Sequence, residues 1–297
     1  MMAQEISVGR VTVVIPVRDR PEMLLRAVKS VLAQSFRDFD LVVVDDASQL
    51  DLPEVRDLVE GAGHHWLSLT KNVGPAGARN AGAQMVKSDW LAFLDSDDVW
   101  EVEKLQQQVD WHAGHAGIEI SQCEEQWVRN GRPFNKKANQ AQPEGVIFEN
   151  CVRVCCISPS CVMMSQKLWQ HLGGFDERYR VCEDYELWLR LALNEPVGLV
   201  KGDAGPLVTR HGGHGDQLSF TLPAMDRFRV MALLDLMLKA ELTPQQKRWV
   251  LSGILQRSEV LLKGAQKRAK EEDVRIYGLA AKNDWQSMAE GMEGICF

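Results

Sequence analysis

Residues 11–17, VTVVIPV, are apolar and β-branched with no polar alternation, the pattern of a strand buried on both faces of a sheet. Pro21 follows, and Leu24, Val28, Val31 and Leu32 recur at helical spacing, so a helix is expected to open at that proline. The segment DLVVVDD predicts a second strand ending on Asp45 and Asp46. The alternation continues with a helix near 53–60, a strand at WLSLT, a glycine- and alanine-rich helix over 76–87 and a strand at WLAFLD. Strands alternating with helices require right-handed crossovers and predict a mainly parallel sheet. Beyond Trp100 the pattern loosens into a helix near 101–113, a strand near 118–128, a polar loop over 130–145 that is a candidate for mobility, and a mixed α+β stretch reaching 220. After Pro223 only helical periodicity is present, in AMDRFRVMALLDLMLKAEL and PQQKRWVLSGILQRSEVLLKGAQKRAKEED. A boundary near 222 therefore divides the chain into 1–222 and an α-helical appendage over 223–297.

Composition narrows the function classes. A chain of 297 residues that is 45% hydrophobic can bury one large core, which removes disorder as a description of most of it. Net charge −7, from 34 Lys+Arg against 41 Asp+Glu, argues against a general nucleic-acid binder. The opening MMAQEISVGR is polar, and no segment approaches the roughly 20 apolar residues of a membrane span, so a cytoplasmic protein is expected. The seven cysteines are odd in number and form no CxxC pair, as reduced thiols would. The run CVRVCCISPSC has a zinc-site alternative, but free cysteine behaves as a small buried hydrophobe, and burial is the expectation.

Ligands of parallel α/β sheets sit at the carboxyl ends of the strands, where Asp45, Asp46, Asp95, Asp97 and Asp98 fall. The turn after the first strand, RDRPEM, lacks the glycines of a dinucleotide site, and no phosphate loop ending in Gly-Lys-Ser/Thr is present. In LDSDD, one helix cap would need one carboxylate. Asp95 and Asp97, two apart at a strand end, can instead turn toward one point and offer oxygens to a hard cation, Mg2+ or Mn2+. VVVDDAS reads either as a turn or as a carboxylate accepting from a nucleobase N–H. KNVGPAGARNAG adds small residues for close approach and Arg79 near a helix start suited to an anion.

The ordered set VVIPVRDRPEMLLRAVKSVLAQSFRDFDLVVVDDAS, NVGPAGARNAG, LAFLDSDDVW, GGFDE and CEDYELWLRL resembles the successive signatures of the family-2 glycosyltransferases of the GT-A fold, over residues 10–220. The resemblance implies an α/β fold, a Rossmann-like mixed sheet flanked by helices, and leaves the helical C-terminal appendage uncovered. It places Pro16, Val17 and Arg18 around the base or ribose and makes Asp46 the base reader through a uracil N3–H. UDP-sugars thus lead as donors, ahead of dTDP- and GDP-sugars. It sets Arg79 near the diphosphate, Asp97 on the metal, Asp95 on ribose or metal, and Asp98 sharing that work, with Mn2+ or Mg2+ as the cation. Asp184 becomes the general base of a single inverting displacement, with helix capping as its bland alternative, and Glu183 orients it or touches acceptor. Asp176 of GGFDE is expected near the incoming hydroxyl. In RHGGHGDQLS, the resemblance offers His214 or His211 as a downstream ligand to the metal or diphosphate, with a loop histidine without a ligand role as the alternative.

The implied acceptor is a saccharide or lipid-linked saccharide. A rival from another class is a non-catalytic nucleotide-sugar-binding subunit whose helical tail recruits partners. A sugar nucleotidyltransferase would need a glycine- and arginine-rich loop where this chain has PVRDRPEM. In the tail, KGAQKRAK could meet anionic lipid at the inner face of a membrane, but Glu271, Glu272 and Asp273 follow it as on a solvated helix face. Met231, Leu234 and Leu238 offer an apolar face for a homodimer.

Overall fold

The computed structural model describes residues 9–134, 141–213, 215 and 224–297; His214 and part of the polar loop, 135–140, lie outside the described residues. The elements that follow are β1 (Val11–Val17), α1 (Pro21–Leu32), β2 (Phe39–Asp45), α2 (Pro53–Gly61), β3 (His65–Ser68), α3 (Gly74–Met85) and β4 (Trp90–Phe93). Next come β5 (Val99–Trp100), α4 (Lys104–Gly114), β6 (Ile120–Cys123), β7 (Glu125–Arg129), β8 (Arg132–Phe134), α5 (Phe148–Arg153), β9 (Val162–Ser165), α6 (Gln166–Leu172), α7 (Glu183–Ala192), β10 (Gly198–Val200) and β11 (Val208–Gly212). The chain closes with α8 (Asp226–Lys239), α9 (Pro244–Lys267), α10 (Glu271–Gly278) and α11 (Trp285–Cys296).

A seven-stranded sheet runs β10-β6-β9-β4-β1-β2-β3. β1 lies parallel to β2 and to β4, with Val17 opposite Asp45 and Val14 opposite Phe93. This register brings the carboxyl ends of three strands to one rim and sets Asp45, Asp46 and Asp95 there. The sheet is mixed where periodicity predicted a mainly parallel one: β9 runs antiparallel to both β4 and β6. Its four residues VMMS are all buried, so they carry no alternation that would mark a strand, still less its direction. The strand expected near 118–128 is two: β6 belongs to the large sheet, and β7 to a second sheet ordered β5-β11-β7-β8.

Alternate side chains of β1 feed two apolar clusters. Val13 and Ile15 pack with Leu24, Val28, Val55 and Leu105 of α1, α2 and α4. Val14 faces the other way, into a cluster with Phe93, Trp169, Trp188, Leu233, Ile254 and Met292 that draws on α6, α7, α8, α9 and α11. The glycine-rich character of α3 follows from its closeness to this sheet: a Cβ on Gly82 would lie 2.5 Å from Val14 Cγ1 and 2.9 Å from Val44 Cγ2.

Residues beyond 224 are helical, as the periodicity predicted, and they share the sheet's apolar cluster. α9 opens with a capping box: Thr243 Oγ1 accepts from the Gln246 N–H at 3.2 Å, and the Thr243 N–H donates to Gln246 Oε1 at 2.9 Å. Met231 and Leu234, expected on a face free for dimerisation, are wholly buried in that cluster, and of the three residues only Leu238 is exposed. Helical spacing shows that they share a face but not that the same chain covers it. Lys263 pairs with Glu259 at 2.6 Å along the helix, which fits a solvated face. Among the described residues, no helix is long and apolar enough to cross a membrane.

Candidate functional site

At the end of β4, Leu94 still donates its N–H to Val14 O at 3.0 Å, so the chain follows β1 for one more residue before turning. The Asp98 N–H then donates to Asp95 O at 3.0 Å, a tight turn that gathers three side chains. Ligand oxygens of Asp95, Asp97 and Asp98 lie within 4.8 Å of one another. Three carboxylates at that spacing repel unless a proton or a cation intervenes. Asp98 shows the strain: burial, opposed by Arg210 and reinforced by Asp97 and Asp95, pushes its pKa up to about 8. Its oxygens are already used, Oδ2 accepting from the Ser160 hydroxyl at 2.6 Å and Oδ1 from the His211 N–H at 2.9 Å. Asp97 Oδ2 accepts from Arg20 Nη1 at 3.2 Å. The all-oxygen donor set fits a hard divalent cation, with Asp98 as the most firmly held of the three carboxylates.

Arg79 connects this rim to the start of α7. Its Nη2 donates to Asp95 Oδ1 at 2.6 Å and its Nη1 to Glu183 Oε1 at 2.7 Å, and the guanidinium lies over the Phe175 ring at 5.2 Å. Burial opposes its charge, but the two carboxylates outweigh it and raise its pKa. In turn, burial would raise Asp95, yet Arg79 and Arg210 hold its carboxyl below the usual range. The resemblance put Arg79 near a diphosphate; here its fork is occupied by two carboxylates.

Glu183 is the first residue of α7 and nearly fully buried. Burial pushes its pKa up to about 7, against the pull of Arg79 and with a push from Asp184. Asp184, half-buried, accepts from the Tyr185 N–H at 2.7 Å through Oδ1 and from the Cys155 thiol at 3.2 Å through Oδ2. The N-cap itself is Cys182, with left-handed φ of 60° and no side-chain cap bond, so Asp184 sits inside the helix and satisfies one first-turn N–H there. Leu187, Trp188 and Leu191 are buried, as their spacing required. Asp176 is bound by Arg178 at 2.6 Å and lines a cleft of about 460 Å³ whose other walls include Glu186, Arg190 and Asp235 but none of Asp95, Asp97, Asp98 or Asp184.

On the other side of the rim, Val17 is buried, Pro16 is half-buried and Arg18 lies 3.5 Å from Asp19. Asp46 is buried, and burial raises its pKa although two backbone N–H groups pull it down. Its carboxylate accepts from Asn72 Nδ2 at 2.6 Å, Val73 N–H at 2.7 Å and Gly74 N–H at 2.9 Å. It therefore fixes the entry of α3, the helix that carries Arg79. Asp46→Ala would strand these donors and is expected to cost on the order of 3 kcal/mol in urea unfolding. Wild-type stability would show instead that the carboxylate is free to serve a ligand.

Sequence reasoning missed Arg20, Asn72, Cys155, Ser160 and Arg210. Arg20 lies in the turn RDRPEM between Arg18, which carries the base expectation, and Pro21, which opens the helix, and Arg210 directly precedes His211. Cys155 and Ser160 lie in CVRVCCISPSC, a run whose spacing links neither of them to Asp184 or Asp98.

Residues 12–172 match the family described as Glycosyl transferase family 2. An uncharacterized glycosyltransferase of Rickettsia felis is 29% identical over 198 residues, which cover 67% of this chain and 33% of that protein. The succinoglycan biosynthesis protein ExoW of Rhizobium meliloti is 41% identical over 102 residues, 33% of this chain and 32% of that one. The chain thus spans about a third of the length of these curated relatives. Among solved structures, S. aureus TarS 1-349 in complex with UDP aligns with a TM-score of 0.70 at 17% identity, covering 96% of this chain and 91% of that one. The mannosyltransferase PcManGT from Pyrobaculum calidifontis, in complex with GDP-Man and Mn2+, aligns at 0.58 and 15% identity, covering 96% and 85%. These likenesses establish the GT-A fold, a mixed α/β sheet flanked by helices with further helices at the C-terminal end. With more than half of its residues inside the family match, the chain belongs to glycosyl transferase family 2.

Proposed function

We propose that the protein is an inverting glycosyltransferase that moves a sugar from a nucleotide-diphosphate donor, a UDP-sugar first of all, to a hydroxyl of a saccharide or lipid-linked saccharide. The observation that carries this reading is the continuous chain Asp95–Arg79–Glu183, which ties the three-carboxylate rim to the acidic pair opening α7. Asp97 and Asp95, backed by Asp98, would hold Mn2+ or Mg2+, and the cation would neutralise charge developing on the departing diphosphate. Asp184 takes the proton from the acceptor hydroxyl as that oxygen attacks the anomeric carbon from the side opposite the leaving group. Asp184 is partly exposed, and its Oδ2, which accepts from the Cys155 thiol at 3.2 Å, would take the proton, whereas Glu183 is buried against Arg79 and orients the pair. No covalent sugar–enzyme intermediate is needed.

The donor assignment draws on TarS, solved with UDP, and the GDP-Man complex of PcManGT keeps guanine second. The succinoglycan role in the name of ExoW favours polysaccharide biosynthesis. Seven free cysteines go with a reducing, cytoplasmic setting. In the rival, a nucleotide-sugar-binding subunit without catalysis, Asp184 would serve only the first turn of α7, where it accepts from the Tyr185 N–H, and Asp184→Asn would change no transfer.

UDP at about 100-fold over its Kd, with Mn2+ or Mg2+, is expected to raise Tm by about 5 °C. With a chelator the shift should nearly vanish, because the carboxylates bind nucleotide through the cation. Equal shifts in both conditions would remove the metal from the reading. Metal-dependent release of UDP from a UDP-sugar, faster with acceptor, separates an enzyme from a binding subunit.

A further inference from the structure

Cys151 is buried in the last turn of α5, and Cys156 lies half-buried in the loop beyond, with the two sulfurs 3.6 Å apart. The contact between the two thiols lowers the pKa of Cys156, while the same contact and burial raise that of Cys151. Cys156 is the more exposed of the two and so the readier to meet an oxidant. Between them, Cys155 donates its thiol to Asp184 Oδ2 at 3.2 Å and also reaches Ile157 O at 3.5 Å. These thiols do not form a metal centre: among the described residues the three-carboxylate rim is the sole group with three converging ligands, and Cys161 turns away to Glu125 at 3.1 Å. The zinc alternative for CVRVCCISPSC thus has no support, but a dithiol remains.

We propose that Cys151 and Cys156 are a redox-modification site, a reversible disulfide that draws Cys155 away from Asp184 and so lowers sugar transfer. The last clause rests on Asp184 being the base. The oxidant is a low-molecular-weight disulfide, RSSR. The Cys156 thiolate attacks one sulfur of RSSR, forming a mixed disulfide and expelling RS−. The Cys151 sulfur then loses its proton and attacks the Cys156 sulfur, expelling the second RS−. The two protons released by the protein thiols end on the two RS− groups, so two protein thiols are oxidised and RSSR is reduced to two RSH.

The direction of movement follows from what is anchored. The C-terminal end of α5 is held by Arg257 Nη2, which donates to Val152 O and Arg153 O at 2.8 Å each, and by the Tyr185 hydroxyl, which donates to Val152 O at 2.9 Å. Bonding requires the sulfurs to close from 3.6 Å to about 2.0 Å, so the loop bearing Cys156 travels and Cys155, its neighbour, travels with it.

The test uses the full chain treated with glutathione disulfide. Arg153 lies between the two cysteines, so trypsin separates 138–153 from 154–167, and only a disulfide keeps these peptides together. A linked pair that parts on reduction, with fragment ions placing the bond on Cys156, is expected; no linked pair, or a bond through Cys155 or Cys161, overturns the site. Burial and, after it, the Asp184 carboxylate raise the Cys155 pKa; moved away from that carboxylate, Cys155 should react with iodoacetamide several-fold faster after oxidation, and an unchanged rate overturns the coupling to Asp184. UDP release from whichever of UDP-glucose, UDP-galactose and UDP-N-acetylglucosamine the enzyme turns over with Mn2+ should fall about tenfold and return on reduction. Cys156→Ser and Cys151→Ala should keep basal turnover and lose the oxidative inhibition. If metal-dependent UDP stabilisation falls together with turnover, the effect runs through Ser160 to the carboxylate rim and the route through Asp184 is wrong. A failure of the base reading appears separately, as an active Asp184→Asn protein that still forms the linked peptides.

Discussion

Asp184→Asn is expected to fold with stability within about 1 kcal/mol of wild type, keep metal-dependent UDP binding, and lose sugar transfer by about 10²-fold or more. The amide oxygen of asparagine can still accept from the Tyr185 N–H, the bond that Asp184 Oδ1 makes at 2.7 Å. The Cys155 thiol, losing its carboxylate acceptor, has Ile157 O at 3.5 Å to turn to. What disappears is a negative charge in the first turn of α7, worth about 0.3–1 kcal/mol, and the basic oxygen that takes the acceptor's proton. Stability and transfer therefore separate in this one variant. Transfer near the wild-type rate would make Asp184 a helix-terminus residue and turn attention to Glu183, whose carboxyl is pushed up to about 7. Loss of UDP binding together with transfer would assign the residue to the donor side.

The strands and helices around the rim were legible because each rests on local pattern: β1 has no polar alternation, α1 opens on Pro21, and helical crossovers between the strands make β1 parallel to β2 and β4. Asp95, Asp97 and Asp98 were legible as a group for the same reason, since their neighbourhood is four residues long. Their partners were not. Ser160 reaches Asp98 across 62 residues, the His211 N–H across 113, and Arg79 reaches Glu183 across 104, and no spacing rule spans such separations. Asp46 illustrates a subtler gap. Sequence places a carboxylate at the rim, but only the path of the chain into α3 shows that three donors converge on its two oxygens. In α8, periodicity identified an apolar face in Met231 and Leu234, yet the surface that covers it comes from the same chain.

Arg79→Met is expected to cost about 3–5 kcal/mol, the loss typical of removing one partner from a buried ionic group. Methionine fills much of the volume and keeps the apolar contact with Phe175, so the deficit arises mainly from Asp95 and Glu183, left without their shared cation. The pH dependence identifies the cause. Burial already raises the Glu183 pKa to about 7 while Arg79 lowers it, so without the guanidinium it must rise further. A carboxyl whose folded pKa exceeds its unfolded value contributes stability that is complete below the unfolded pKa and is lost as pH climbs through the folded one. The variant should therefore be closest to wild type near pH 5, where Glu183 is protonated, and furthest from it near pH 8. Adding Glu183→Gln should recover more than about 1 kcal/mol at pH 8, because the neutral amide needs no counter-charge. Arg79→Lys should fall between, since one ammonium cannot repeat the planar fork that reaches both carboxylates. A deficit that is flat from pH 5 to pH 8 and untouched by Glu183→Gln would show that Arg79 acts by packing alone, and the Asp95–Arg79–Glu183 chain would no longer link the carboxylate rim to α7.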